Sequence, residues 1–208
     1  MTRASFWTHV RNRLRREPPP VVVVSGLPRS GTSMMMRMLE AGGVVPLTDA
    51  LREADVDNPG GYYELEDVKA LDGTDTAWLD AARGRAVKVI SALVERLPPS
   101  HSYRVVFMHR RLDEVIRSQR RMLEHRQALE REMDAGELEE FYVRHLAELS
   151  AWLDTSEHVE ALHLNYARLI ADPAAHARVL SAFLGGDPDP ERMASVIDPS
   201  LYRNRSST

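Results

Sequence analysis

Val21-Val22-Val23-Val24-Ser25-Gly26-Leu27-Pro28-Arg29-Ser30-Gly31-Thr32-Ser33 is the stretch that decides the fold. Four β-branched residues in a row leave no polar side, which predicts a strand buried on both faces, as in a parallel sheet. Gly26 to Gly31 reads as a turn, and Thr32 to Ala41 as a helix ended by Gly42-Gly43. Strand, glycine-flanked turn and helix make an anion cradle. Amides of the turn and of the first helical turn point inward, and the helix dipole favours negative charge. The spacing is that of a GxxxxGK[ST] phosphate loop, except that Thr32 stands in the lysine position. A kinase or ATPase places that lysine on the β- and γ-phosphates. Its loss, with Arg29 gained inside the loop, points to another anion.

Outward from this loop, helical and extended patterns alternate. Val44-Val45 is a candidate short strand, and residues 46–63 form a long loop rich in Asp, Asn, Pro and Gly. Long loops inside compact domains are usually functional or disordered. Glu64 to Leu71 predicts a helix, Ala86 to Ile90 a second apolar strand, and Leu93 to Leu97 a short helix. Arg104 to Met108 is the third strand. Helices are expected from Asp113 to about Met133 and from Glu137 to Leu153, and Val159 to Leu164 is a last strand before a helix over Pro173 to Leu184. The alternation predicts a three-layer α/β fold, a central parallel sheet flanked by helices. Residues 19–208 are read as one domain and residues 1–18 as a basic helical appendage ended by prolines.

Composition narrows the function classes. The chain has 208 residues, 43% of them hydrophobic and 28% charged, the balance of a soluble globular protein. Its net charge of −4 gives no sign of a nucleic-acid partner. With no cysteine, disulfides, thiolate metal sites and cysteine nucleophiles are excluded. The eight histidines lack metal-ligand spacing, so no metal is expected. The N-terminus has no apolar stretch suited to a signal peptide and no segment is suited to a membrane span, so the expected location is cytoplasmic. The 27 cations include two lysines, Lys69 and Lys88.

A second motif follows the third strand: His109-Arg110-Arg111-Leu112-Asp113-Glu114-Val115-Ile116-Arg117-Ser118. A guanidinium fork and a hydroxyl on the next helix can grip one phosphate dianion together. At this point the chain resembles the sulfotransferases that use 3′-phosphoadenosine 5′-phosphosulfate (PAPS). Pro28-Arg29-Ser30-Gly31-Thr32-Ser33 matches the family's P-[KR]-S-G-T-[ST] loop for the 5′-phosphosulfate, and Arg110 with Ser118 resembles its 3′-phosphate site. Leu112 departs from the proline usual two residues after the arginine. Asn165-Tyr166-Ala167-Arg168-Leu169, then Phe183-Leu184-Gly185, is similar to the family's YEDL–helix–FLG ending, with Ala167 and Arg168 in place of an acidic pair. Tyr166 is thereby a candidate neighbour of the nucleotide, and Arg203 and Arg205 are candidates to reach the 3′-phosphate. Asn58-Pro59-Gly60-Gly61-Tyr62-Tyr63-Glu64 resembles the NPxGYWE stretch of many bacterial members.

The resemblance implies transfer of a sulfuryl group from PAPS to a hydroxyl or amine, releasing adenosine 3′,5′-bisphosphate (PAP) without a metal. Arg29 and Lys88 are the candidate cations for the transferring group. Lys88 interrupts an apolar strand, where an unpaired ammonium is costly. The histidine found two residues after that lysine in cytosolic small-molecule members is here Ile90, which leaves Glu64 or Glu53 as the base, with His109 third. The acceptor class stays open among small molecules, carbohydrates, lipids and peptides, and oligomeric state is unread. Two rival readings are a P-loop kinase with a degenerate loop and a non-catalytic PAP-binding module.

Overall fold

The computed structural model describes residues 18–49, 63–72, 76–125 and 134–198. The elements run β1 (Val21–Gly26), α1 (Thr32–Ala41), α2 (Trp78–Ala81), β2 (Ala86–Lys88), β3 (Tyr103–His109), α3 (Leu112–His125), α4 (Ala135–Thr155), β4 (Val159–Asn165), α5 (Tyr166–Ala171), α6 (Pro173–Phe183) and α7 (Pro190–Ser195). Two 3₁₀ segments, Glu66–Asp72 and Ser91–Arg96, replace the helices expected at 64–71 and 93–97.

The four strands form one all-parallel sheet in the order β2-β1-β3-β4. The valine run of β1 is central and buried throughout, as an unbroken apolar strand requires. Its pleat divides the core. Val22 and Val24 join Met35, Met36, Leu39, Leu169, Leu180 and Met193 beneath α1, α5, α6 and α7. Val21 and Val23 face the other way, onto Val87, Val105, Phe107, Leu149 and Leu153 beneath α4 and the 3₁₀ segments. A smaller apolar cluster of Leu27, Val115, Ile116 and Tyr142 ties the β1–α1 turn to α3 and α4.

Several boundaries differ from expectation for identifiable reasons. Val44-Val45 is no strand. The chain there only runs along the outer edge of β2, with the Ala86 amide donating to the Val45 carbonyl at 3.0 Å and the Leu47 amide to the Ala86 carbonyl at 2.7 Å. Pro46 sits between them and has no amide to extend a ladder. Strand β2 stops at Lys88, short of Ile90. The helix expected from Glu137 starts at Ala135 and takes Gly136 into its first turn, because Asp134 and Glu137 form a capping box. Helices α6 and α7 both start at an Asp-Pro pair whose aspartate caps the first turn. The basic segment at 1–17, the loop residues 50–62 and the C-terminal 199–208 fall outside the described residues.

The topology points to where a ligand would sit. The chain leaves β1 for β2 on one side of the sheet, and leaves β3 for β4 on the other. Ligands of open parallel sheets bind outside the carboxyl ends of the strands at such a reversal. Those ends are Gly26 of β1, which opens the glycine turn, and His109 of β3, which precedes Arg110.

Candidate functional site

The β1–α1 turn is shaped by backbone that side chains resist. Gly31 has φ 102° and ends the turn as the residue before α1. Gly26 cannot carry a side chain, since a Cβ there would lie 2.5 Å from Ser30 Oγ and 2.7 Å from the Met108 carbonyl oxygen. Arg29 takes φ 68°, a left-handed conformation that costs a non-glycine residue roughly 1–3 kcal/mol. Ser30 is 1% exposed, and its hydroxyl, like that of the fully buried Ser25, has no hydrogen-bond partner among the described residues. An orphaned buried hydroxyl costs about 1–3 kcal/mol. The Ser30 amide is taken by the Leu27 carbonyl at 3.1 Å, so what the loop offers an anion is the unsatisfied Ser30 hydroxyl beside the amino end of α1.

The second motif is bonded directly to this loop. Arg29 Nε donates to Ser118 Oγ at 3.1 Å, and Arg110 donates from a terminal nitrogen to the Arg29 carbonyl at 3.1 Å. Ser118 is 4% exposed, on the face of α3 that turns toward the loop. Arg110 Nε also donates to Glu114 Oε2 at 2.9 Å, both side chains being buried, and its guanidinium carbon stands 4.5 Å above the centre of the Tyr166 ring. The same ring closes over the turn: a Cβ on Gly31 would meet Tyr166 at 2.5 Å. Burial raises the phenol of Tyr166, against the lowering influence of Arg110. A small recess beside the loop is lined by Leu27, Ser30, Met108, His109, Arg110 and Val115. Thr32 and Ser33 open α1 at its amino end, where the dipole favours an anion.

Lys88 ends β2, opposite Val24. Its side chain is 11% exposed and approaches Glu64 Oε1 at 3.9 Å. Glu64 is itself pinned through its backbone: the Thr48 hydroxyl and the Asp49 amide both donate to its carbonyl, at 2.7 and 3.3 Å. Its neighbour Tyr63 has φ 52° and donates its hydroxyl to Glu40 of α1 at 2.6 Å. Burial and the Glu40 carboxylate push that phenol far above the usual tyrosine range. The expected pair Lys88 and Glu64 is thus brought together at the carboxyl edge of the sheet.

His109 borders the recess beside the loop, but no contact joins it to Lys88 or Glu64 among the described residues. Its Nε2 lies 2.7 Å from Nδ1 of His163, and both rings pack near Phe107, on the face opposite Val24 and Val106. Burial and His163 hold it below the usual histidine value. Glu53, Arg203 and Arg205 lie outside the described residues. Three features went unread in the sequence: the Glu114 partner of Arg110, the Tyr63–Glu40 bond and the His109–His163 pair. Only the first carried a signal, its i,i+4 spacing from Arg110.

Among the described residues no group of three histidine or carboxylate side chains could hold a metal ion, and no helix is long and apolar enough to cross a membrane. A scan of family models finds no match to this chain, and a search of curated protein sequences finds none either. Solved structures do match. The sulfotransferase domain from the curacin biosynthetic pathway superposes with a TM-score of 0.52 at 16% identity, over 88% of this chain and 89% of that one. A sulfotransferase from Alicyclobacillus acidocaldarius gives a TM-score of 0.46 at 18% identity, over 89% of each chain. Retinol dehydratase in complex with androsterone and the inactive cofactor PAP gives 0.48 at 16%, over 88% of this chain and 64% of that one. The four-stranded parallel sheet with its flanking helices is an α/β fold like that of the curacin-pathway sulfotransferase domain.

Proposed function

We propose that the chain is a sulfotransferase that moves a sulfuryl group from PAPS to a hydroxyl or amine and releases PAP. The observation that carries the reading is the joining of two anion sites. A phosphate loop lacking the kinase lysine is bonded through Arg29 to Ser118, and through its own carbonyl to Arg110. In this reading the amides at the amino end of α1 and the Ser30 hydroxyl hold the 5′-phosphosulfate, and Arg110 with Ser118 holds the 3′-phosphate. Tyr166 lies beneath Arg110 and against the loop, and so flanks the nucleoside side of the site.

The chemistry follows from Lys88 and Glu64. The acceptor oxygen or nitrogen attacks sulfur in line. The bond between sulfur and the bridging 5′-phosphate oxygen breaks, and the leaving group departs as PAP. Negative charge on the sulfuryl oxygens and the departing phosphate needs fixed cations, and Arg29 and Lys88 supply them. Glu64 accepts the acceptor's proton. Its 3.9 Å approach to Lys88 supports the pairing of a base and a cation at one reaction centre. Glu53 remains the alternative base, and Arg203 and Arg205 remain further candidates for the 3′-phosphate. The acceptor is a small molecule, carbohydrate, lipid or peptide.

Native extracts incubated with the protein and PAPS, read by mass spectrometry, test the reading. A product heavier than its precursor by one SO₃ group is expected, and its formation should require Lys88. Transfer of a phosphoryl group from Mg-ATP, with none from PAPS, would replace the proposal with a kinase.

A further inference from the structure

Arg110 is held on three sides, and one of its holders has no contact assigned to substrate. Glu114 lies one helical turn further on, at the start of α3, and is 1% exposed. Its Oε2 accepts from Arg110 Nε at 2.9 Å. A carboxylate this deeply buried is costly unless it is paired and hydrogen-bonded, and it is seldom kept without a reason. The Nε bond fixes the tilt of the guanidinium plane, because Nε is the nitrogen nearest the stem. The Arg29 carbonyl takes a terminal nitrogen, and the Tyr166 ring takes one face. Together the three contacts leave the guanidinium one orientation relative to the loop and Ser118.

We infer that Glu114 is the positioning residue that sets the selectivity of the site for a nucleotide bearing a 3′-phosphate, by fixing the tilt of Arg110. The inference rests on the PAPS reading above. Glu114 also offsets the charge of Arg110, so its presence lowers the bare attraction of the site for any anion. What it contributes is direction: a guanidinium grips phosphate well only with its donors aimed in the plane of the fork. Loss of the carboxylate frees Arg110 to point elsewhere, and the difference between nucleotides with and without the 3′-phosphate shrinks.

The test is calorimetric titration of PAP and of adenosine 5′-monophosphate into the wild type, Glu114→Ala and Glu114→Gln, with thermal melting of each. The ratio of the two affinities reports the 3′-phosphate, while a general loosening of the fold would weaken both ligands alike. Wild type is expected to prefer PAP. Glu114→Ala should cut that preference about tenfold or more, the scale of a lost charge-assisted contact, and Glu114→Gln, which keeps an acceptor oxygen, should fall between. An unchanged ratio in Glu114→Ala overturns the inference, whatever happens to the melting temperature. If Glu114→Ala does not fold, Glu114→Met decides, since it fills the space but offers Arg110 Nε no oxygen: a ratio equal to or above the wild type overturns the inference, because Arg110 would then keep its direction without the carboxylate. A wild type with no preference for PAP removes the PAPS reading itself, and the inference with it.

Discussion

Gly31→Ala probes the contact on which the loop is built. Two costs add at this position. The first is the backbone: φ 102° lies where an L side chain is strained, at about 1–3 kcal/mol. The second is steric. The new Cβ would stand 2.5 Å from Cδ2 and 2.8 Å from Cε2 of Tyr166, so the ring must move, and overpacking of a fitted interior costs about 1–3 kcal/mol. Gly43 separates the two. It has φ 96° with nothing among the described residues within 4 Å of its added Cβ, so Gly43→Ala carries the strain alone. In a protein of this size 1 kcal/mol shifts the melting temperature by about 2–4 °C. Gly31→Ala should therefore melt roughly 4–24 °C below wild type, and below Gly43→Ala by about 2–12 °C. Calorimetric melting of both variants measures the difference. Repeating the pair in a Tyr166→Leu background should shrink it, because the ring is what the Cβ meets. Equal melting of Gly31→Ala and Gly43→Ala would refute the packing of Tyr166 on the loop.

The remaining predictions concern the site. Arg110→Ala should weaken PAPS by about 2–5 kcal/mol while barely changing adenosine 5′-phosphosulfate, and Arg111→Ala, whose partner is the exposed Asp113, should do less in the same titrations. Lys88→Ala should lower single-turnover transfer far more than PAP affinity, since PAP has lost the sulfuryl group; equal losses would make Lys88 a nucleotide anchor. His109 is held below its usual value, so the folded state binds fewer protons than the unfolded chain near that value. Its contribution to stability is therefore present above the unfolded histidine pKa of about 6.5 and is lost as pH falls toward the lower folded value. His109→Gln should flatten the melting profile in that window; an unchanged acid slope would count against a depressed His109.

Local signals made the centre of the fold legible. The helix over Thr32 to Ala41 is seen at the bounds expected, and β1 holds the valine run but continues to Gly26, because β-branching, turn glycines and a paired-glycine stop act through neighbours in sequence. Less legible were elements that depend on distant partners. Val44-Val45 looks like a strand by propensity, but Pro46 and the edge of β2 allow it only an isolated bridge. Helices α2, α5 and α7 are short, four to six residues, too brief for periodicity to register. In the site, the Lys88–Glu64 approach and the bonds of Arg29 to Ser118 and Arg110 to the Arg29 carbonyl span 24, 89 and 81 positions. The resemblance supplied those residues as candidates, and the strand order brought them to one edge. Glu114 was visible as a letter in the motif, but its burial was not, because burial depends on what α3 packs against.

The most direct measurement is titration of PAP and of ATP, each with magnesium and with chelator, followed by thermal melting. PAP should bind at one site and raise the melting temperature equally in both conditions, with stabilisation of about 2.7 kcal/mol at a hundredfold excess over Kd. Adenosine 5′-monophosphate should bind more weakly, and ATP should gain nothing from magnesium. Magnesium-dependent binding of ATP tighter than that of PAP would contradict a PAPS site built from Arg29, Ser30, Arg110 and Ser118.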